Sequence, residues 1–154
     1  MDDKQLRLSS QICFPIYSAS RLITKAYKPY LDEIGLTYPQ YLVLLVLWEN
    51  DELTVNQISE KLLLNTNTLS PLLKRMGKME LLERNRSHED ERSVIVQLTE
   101  KGKQLKMKAL PIPEKLVMEL LSDNIKIEEM LKLKDILSKL IFLLTNKSGS
   151  SDKA

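Results

Sequence analysis

Eight consecutive apolar or aromatic residues, Tyr41 to Trp48, place the strongest constraint on the fold of this chain. They follow Thr37-Tyr38-Pro39-Gln40, which has the pattern of a capping box with a proline in the first helical turn, so a helix is predicted to reach about Glu49. A helix this short that is apolar on every side is buried within a protein rather than spanning a membrane. It is expected to form the centre of the core.

Apolar residues at helical spacing recur before and after this run. A first helix is predicted over residues 12–31. Thr54 begins a second capping pattern, which predicts a short helix to Leu62. After a turn at Leu64-Asn65, a fourth helix is expected to reach about Lys78, and two short helices joined by a tight turn are typical of a helix-turn-helix.

The spacing changes from helix to strand after Leu81. Alternation over residues 94–98 predicts the second arm of a β-hairpin, which would form a wing. Thr99 is positioned to cap the next helix, and Pro111 and Pro113 must kink or break that helix before a further helical segment begins.

The predicted fold class is mainly α with a small β-hairpin wing, a winged helix-turn-helix filling one domain over residues 1–145. Residues 146–154 are expected to be a disordered tail. The terminal helices, at residues 8–34 and 100–145, do not obviously close the core of the DNA-binding part at about residues 37–99. They are therefore expected to pack against a second copy with two-fold symmetry, giving a homodimer.

The composition of the chain argues against several kinds of site and location. The chain has one cysteine and one histidine, so neither an internal disulfide nor a structural zinc site is expected, and no cofactor is predicted. No apolar stretch is long enough for a membrane span and no apolar signal core begins the chain, so a cytoplasmic location with no membrane partner is expected. Because the net charge is only +2, any DNA-binding surface must come from local placement of Lys and Arg.

The fourth helix and the hairpin together have the composition of a DNA-reading surface. Short polar side chains at the start of a helix can reach base edges, and basic side chains further along can meet phosphates. Arginines on a hairpin can enter the minor groove, and an acidic residue can hold one of them in place. The alternatives are a capped, solvated helix and a solvated loop with surface ion pairs. The candidate DNA-binding residues are Thr66, Asn67, Thr68, Ser70, Lys74, Arg75, Arg84, Arg86, Asp90 and Arg92.

Residues 54–99 resemble the winged helix of MarR-type regulators, including the wing signature Asp90-Glu91-Arg92-Ser93-Val94 followed by Gln97-Leu98-Thr99. In that family the recognition helix enters the major groove and the wing arginine reaches the minor groove. The resemblance implies these roles for residues 66–75 and for Arg92. The family commonly has Asp-Ser-Gly-Thr where this chain has Asn65-Thr66-Asn67-Thr68, so a different preferred operator is expected.

Cys13 is the candidate redox site. It lies two residues before Pro15, near the predicted start of the first helix, where the helix dipole favours the thiolate that attacks peroxides. The alternative is an inert buried cysteine. Tyr17 is one turn away, whereas Tyr27 lies about 21 Å further along the helix. Only an antiparallel partner helix would bring Tyr27 close to Cys13.

A closer resemblance, to the one-cysteine organic hydroperoxide sensors of the MarR family (the OhrR type), covers most of residues 10–115. It is carried by Gln11-Ile12-Cys13-Phe14, Tyr17-Ser18-Ala19-Ser20-Arg21, Tyr27-Lys28-Pro29 and Leu36-Thr37-Tyr38-Pro39-Gln40-Tyr41-Leu42. The resemblance implies that Cys13 is the peroxide-reactive thiol and that Tyr17, Tyr27 and Tyr38 surround it across the dimer interface. Pro15 departs from the family pattern, which has an ordinary apolar residue there.

These observations predict a repressor, not an enzyme, that binds a palindromic operator in double-stranded DNA as a homodimer. Organic hydroperoxide would oxidise Cys13, an external low-molecular-weight thiol would form a mixed disulfide, and the dimer would leave DNA. One alternative is a MarR-type regulator that binds small aromatic compounds, with Cys13 not the sensor. The other is a thiol peroxidase, for which no resolving cysteine is present.

Overall fold

The structure, a computed structural model, describes residues 3–86, 93–121 and 125–148. Two short 3₁₀ turns, Asp3–Leu6 and Leu8–Ser10, precede the first helix. The helices in the described ranges are α1 (Cys13–Glu33), α2 (Tyr38–Glu49), α3 (Val55–Leu62), α4 (Thr66–Lys78), α5 (Glu100–Ala109), α6 (Ile112–Leu120) and α7 (Ile127–Ser148). The strands are β1 (Leu53–Thr54), β2 (Leu82–Arg86) and β3 (Val94–Leu98).

Side-chain caps fix the starts of the short helices. The Thr54 hydroxyl accepts from the Gln57 amide at 3.2 Å, while Gln57 Oε1 accepts from the Thr54 amide at 2.8 Å. Asn65 Oδ1 accepts from the Thr68 amide at 2.9 Å, and the Thr99 hydroxyl accepts from Gly102 at 3.1 Å. Each cap satisfies an amide that has no partner inside its helix. The predicted starts of α3, α4 and α5 are confirmed.

The sheet has one strand more than the predicted hairpin. Its order is β1-β3-β2 and both pairings are antiparallel. β1 pairs Leu53 with Val96 and Thr54 with Ile95. Two residues are too few to show the alternation that identifies a strand in a sequence, so β1 was not predicted. Asp51 helps to hold this edge, because its carboxylate accepts from the Leu98 amide at 2.8 Å.

α2 lies at the centre of the core, as its sequence predicted. Five of its apolar residues are buried, and helices α1, α3 and α4 and strand β3 supply most of the remaining core. Burying a side chain such as Leu44 fully stabilises the fold by about 1.5–3 kcal/mol relative to exposure. The buried apolar residues of α2 are Tyr41, Val43, Leu44, Val46 and Leu47.

The other boundaries lie close to the predicted ones. α1 begins at Cys13 and ends at Glu33. α5 and α6 are separated between Ala109 and Ile112, where the prolines predicted a break. α7 continues to Ser148, three residues beyond the predicted domain end. The rest of the predicted tail, residues 149–154, lies outside the described residues.

The chain divides into two compact units, Met1–Ile112 and Pro113–Ala154. The first unit contains the helix-turn-helix and the sheet. In the second unit, α7 exposes much of its apolar surface: Leu131, Ile136, Ile141 and Phe142 are 59%, 52%, 47% and 66% exposed. Large exposed apolar patches are typical of interfaces, and the predicted pairing of terminal helices between two copies stays a prediction.

Candidate nucleic-acid interface and redox site

α4 separates a buried face from an exposed polar face. Leu69, Leu72, Leu73 and Met76 are buried and hold the helix on the core. The opposite face carries most of the predicted DNA-binding residues of this helix. Ser70 is half-buried, and the exposed residues are Thr66, Asn67, Thr68, Lys74 and Arg75. Lys78, in the last turn, is exposed and basic as well, and sequence reasoning did not include it.

A groove of about 190 Å³ joins α4 to the sheet. It brings together three predicted residues from two elements, Thr66 and Ser70 of α4 and Arg84 of β2. Asn56, in the first turn of α3, lines the same groove and was not predicted. The signal for it was its place two residues after the capping Thr54, in the first turn of α3. Thr54, Val55, Ser93 and Val94 complete the lining.

The wing strands present their arginines to solvent. Arg84 lies opposite Val96 and Arg86 opposite Val94 in the ladder between β2 and β3, and both arginines are exposed. Residues two apart on a strand lie on the same face of a sheet, so these guanidinium groups share one side of the wing. The predicted wing-tip residues Asp90 and Arg92 lie outside the described residues.

Cys13 is exposed and is the first residue of α1. The preceding residue, Ile12, offers no side-chain cap, so amides of the first turn are left for solvent or for another group. Pro15 is compatible with this helix start, because the amide it lacks would have no partner inside the helix. The Tyr17 ring, one turn on, is 60% exposed, and the Arg21 guanidinium carbon lies 5.5 Å from its centroid.

Tyr27 and Tyr38 form a separate cluster at the other end of α1. Their ring centroids are 4.9 Å apart, and Tyr41 lies 5.8 Å from Tyr27 and 6.4 Å from Tyr38. Burial raises the pKa of Tyr27 and of Tyr38, and for Tyr27 the neighbouring Tyr38 adds to the effect. Burial, with smaller contributions from Tyr27 and Tyr38, raises the pKa of Tyr41 to about 12. These phenols therefore stay protonated at neutral pH and can donate hydrogen bonds.

The structure of one chain thus divides the four predicted redox residues into two pairs. Cys13 and Tyr17 lie together at the start of α1, and Tyr27 and Tyr38 lie together at its end. The fourteen residues from Cys13 to Tyr27 correspond to about 21 Å of helix. Within one chain the two pairs do not form a single site.

Within the described ranges, no group of three or more His, Cys, Asp or Glu side chains is arranged to hold a metal ion. No helix there is both long enough and apolar enough to cross a membrane.

Comparisons with known proteins agree on one kind of molecule. A family model described as transcriptional regulator SarA/Rot matches residues 25–110. The organic hydroperoxide resistance transcriptional regulator of Bacillus subtilis is 54% identical over 108 residues, which are 70% of this chain and 74% of that protein. The HTH-type transcriptional regulator MgrA of Staphylococcus aureus is 34% identical over 138 residues, 89% of this chain and 92% of that protein.

A solved structure with a similar fold is AbfR of Staphylococcus epidermidis. The reduced protein bound to DNA has a TM-score of 0.78 and 35% identity, covering 95% of this chain and 98% of that one. AbfR has also been solved in an overoxidized form bound to DNA, with a TM-score of 0.72, and in a disulfide form, with a TM-score of 0.61.

A recognition-type helix, an adjoining wing and a shared groove define a winged helix-turn-helix transcriptional regulator rather than an enzyme. The chain belongs to the SarA/Rot family of transcriptional regulators, which are MarR-like winged-helix proteins. The predicted membership of the MarR family is confirmed, and so is the resemblance to its organic hydroperoxide regulators.

Proposed function

We propose that this regulator is a redox-sensing repressor that binds a palindromic operator as a homodimer and leaves it after organic hydroperoxide oxidises Cys13. The observation that carries the proposal is the position of Cys13, exposed in the uncapped first turn of α1. Its proposed partners Tyr27 and Tyr38 lie at the opposite end of the same helix. Two antiparallel copies of α1 would place each thiol beside the other chain's tyrosines.

The proposed chemistry has two steps. The Cys13 thiolate attacks an oxygen of the hydroperoxide, the O–O bond breaks, and the alkoxide leaves as an alcohol after taking up a proton, so that Cys13 becomes a sulfenic acid. A low-molecular-weight thiol then attacks the sulfenic sulfur. Water leaves and a mixed disulfide forms. No second cysteine exists in the chain to take the place of that thiol.

We assign the larger structural effect to the second step. In AbfR an overoxidized form is bound to DNA, whereas the disulfide form is less similar to this chain than the reduced, DNA-bound form. A mixed disulfide adds the bulk of a whole molecule at Cys13, whereas sulfenic acid adds one oxygen. The adduct would shift the dimer towards a state whose recognition helices no longer match successive major grooves, roughly 34 Å apart.

The proposed DNA contacts divide into reading and anchoring groups. Thr66, Asn67, Thr68 and Ser70 would face base edges in the major groove, and Lys74 and Arg75 would meet phosphates. On the wing, Arg84, Arg86 and Arg92 would enter or clamp the adjacent minor groove, with Asp90 orienting Arg92. We add Asn56 as a phosphate contact because it lines the same groove, and Lys78 because it is an exposed cation in the last turn of α4. A protein with this role acts where the chromosome is, in the cytoplasm.

Operator binding with and without cumene hydroperoxide and a small thiol tests the sensor. Wild type is expected to dissociate, and Cys13→Ser is expected to stay bound under the same treatment. A matched control is Cys13→Ser combined with Ser20→Cys, which keeps one exposed thiol on α1 but moves it two turns into the helix. This control is expected to behave like Cys13→Ser. Dissociation of Cys13→Ser under oxidation would falsify the proposal.

Salt dependence of operator affinity tests the interface. Arg84→Ala is expected to weaken binding and to lower the slope of log affinity against log salt by about one unit, as for a single lost phosphate contact. Lys108→Ala on α5 removes the same charge from an exposed position outside the groove and is expected to change the slope little. Equal slopes for Arg84→Ala and wild type would remove Arg84 from the interface.

A second candidate, a regulator that binds small aromatic compounds, is favoured by one cavity. It has a volume of about 450 Å³, within the range of small-molecule sites, and combines Leu36, Leu81 and Leu105 with Lys101 and Lys108. The Cys13→Ser experiment separates the two functions, since a ligand-responsive regulator would still leave DNA when its ligand binds and would not need the thiol.

A further inference from the structure

Between Cys13 and Leu31, the charged residues of α1 are all basic. Arg21, Lys25 and Lys28 occur within eight residues, and no Asp or Glu occurs between Cys13 and Leu31. All three cations are exposed. Asp32 is the first acidic residue of the helix, and it pairs with Lys28 at 2.5 Å. In the described residues no carboxylate lies within ion-pair distance of Arg21 or Lys25, so two positive charges remain uncompensated.

These cations line a groove with a partly apolar floor. A concavity of about 390 Å³ is bordered by Arg21, Lys25 and Lys28 and by Asp32, the ion-pair partner of Lys28, with Leu31 and Leu36 among its apolar residues and the first turn of α2 on its far side. A second recess, of about 410 Å³, is also lined by Arg21 and Lys25. Because the two recesses share these residues, they form one basic surface along α1, the α1 groove.

The α1 groove begins within reach of the thiol. Cys13, Tyr17 and Arg21 follow one another at four-residue steps and lie along one face of the helix. The rise from Cys13 to Arg21 is about 12 Å, but the Arg21 guanidinium carbon lies over the Tyr17 ring, 5.5 Å from its centroid and only one turn from Cys13. The distance that a bound thiol has to bridge is therefore shorter than the rise, and a small peptide-like thiol with its sulfur at Cys13 can place a terminal carboxylate near the Arg21 guanidinium.

We propose that the α1 groove docks the carboxylate end of the thiol that forms the mixed disulfide, so that the resolving partner of Cys13 is an anionic, carboxylate-bearing small thiol. This inference rests on the proposed function and names the chemical class of its second reactant. Arginine and lysine attract carboxylates, and uncompensated positive charges repel an amine-terminated thiol. In the reaction the sulfenic sulfur is reduced, the incoming thiol sulfur is oxidised, one S–S bond forms and water leaves.

The test uses glutathione, which has two carboxylates, and its diethyl ester, in which both are blocked. The full-length protein is converted to sulfenic acid with one equivalent of cumene hydroperoxide, and the rate of adduct formation is followed by intact mass. With wild type, the anionic thiol is expected to react about five- to tenfold faster than the ester, as for one or two solvent-exposed charge pairs. The difference is expected to shrink at high salt.

Arg21→Gln combined with Lys25→Gln should bring the two rates together, whereas the matched pair Lys132→Gln and Lys134→Gln, which removes the same charge from exposed positions on α7, should preserve the difference. Both double variants change exposed residues, and circular dichroism checks their fold. Equal rates for the two thiols on wild type, or an unchanged preference after the α1 substitutions, overturn the docking inference while the sensor function stands. If Cys13 forms no adduct with either thiol, both proposals fail.

Discussion

The proposed recognition helix α4 and the first half of α1 both present candidate functional side chains, but packing within the chain fixes the two helices to very different extents. α4 has an asparagine cap and four buried residues that fix it on the core. α1 has no side-chain cap, and its buried residue, Leu31, lies near its far end. Ile12, Leu22 and Tyr17 are 81%, 65% and 60% exposed. The position of the proposed DNA-reading surface is therefore set by one chain, whereas that of the proposed sensing surface depends on what contacts α1 from outside.

The largest difference in the free energy of unfolding is expected between two leucine truncations, one on α4 and one on α1. Leu73→Ala on α4 removes a fully buried side chain and is expected to lower the free energy of unfolding by about 2–5 kcal/mol. Within one chain, Leu22→Ala on α1 is expected to change it by less than about 0.5 kcal/mol, and the proposed pairing of α1 between two copies would add a cost that depends on protein concentration. Urea denaturation of both variants at two protein concentrations measures this. A large, concentration-dependent cost of Leu22→Ala would show that the α1 face is buried between chains.

Two glycines in the well-packed part of the chain allow a second comparison of stability. A Cβ at Gly102 would lie 2.1 Å from the Leu81 carbonyl oxygen, so Gly102→Ala is expected to cost about 1–3 kcal/mol through overpacking. At Gly77, inside α4, a Cβ would meet its nearest atom, the Leu82 carbonyl oxygen, at 3.7 Å. Gly77→Ala is expected to stabilise the helix by up to about 1 kcal/mol. Thermal denaturation of the pair should give shifts of opposite sign, and shifts of the same sign would contradict this packing.

A smaller effect is expected where a cap is removed. Thr54→Ala eliminates the hydroxyl that accepts from Gln57 and is expected to cost about 0.5–2 kcal/mol. Thr24→Ala on α1 removes a hydroxyl bonded to the Ser20 carbonyl, which the helix does not need. That variant should lie within about 0.5 kcal/mol of wild type in urea. Equal losses for the two threonines would mean that α1 depends on local side-chain bonds as much as α3 does.

The smallest effect is confined to alkaline pH. In the unfolded chain Tyr41 releases its proton near pH 10.0, whereas in the folded chain burial holds its pKa at about 12. The unfolded state therefore binds fewer protons in that interval, and stability is expected to fall as pH rises from 10 to 12. Tyr41→Phe should reduce the steepness of this fall in denaturation midpoints measured against pH, while Tyr17→Phe, at an exposed ring, should not. Parallel profiles for all three proteins would contradict the assignment.

Local signals made most of the fold predictable. The capping patterns at Thr54 and Thr99 and the apolar run in α2 depend on neighbours in sequence, and their predicted positions agree with the structure. β1 depends on pairing with β3, more than forty residues later, and a two-residue strand has no periodicity of its own. The sequence therefore predicted the hairpin but not the third strand.

Less of the candidate site than of the fold could be predicted from the sequence. The polar face of α4 followed from helical spacing, but its groove with Asn56 and Arg84 depends on how three separate segments pack. The separation of Cys13 from Tyr27 followed from helix length alone. The contact between Tyr27 and Tyr38 depends on the angle between α1 and α2, for which residue spacing gives no rule.

The row of aromatic rings gives this molecule an intrinsic fluorescence probe. Trp48 is the only tryptophan in the chain. Its ring centroid lies 6.3 Å from that of Tyr41, which in turn contacts Tyr27 on α1. Tyrosines this close to an indole pass on their excitation energy, and quenching of the indole changes when the rings move. Emission from Trp48 therefore reports movement of α1 against α2 without any attached dye, in the same sample that is being oxidised.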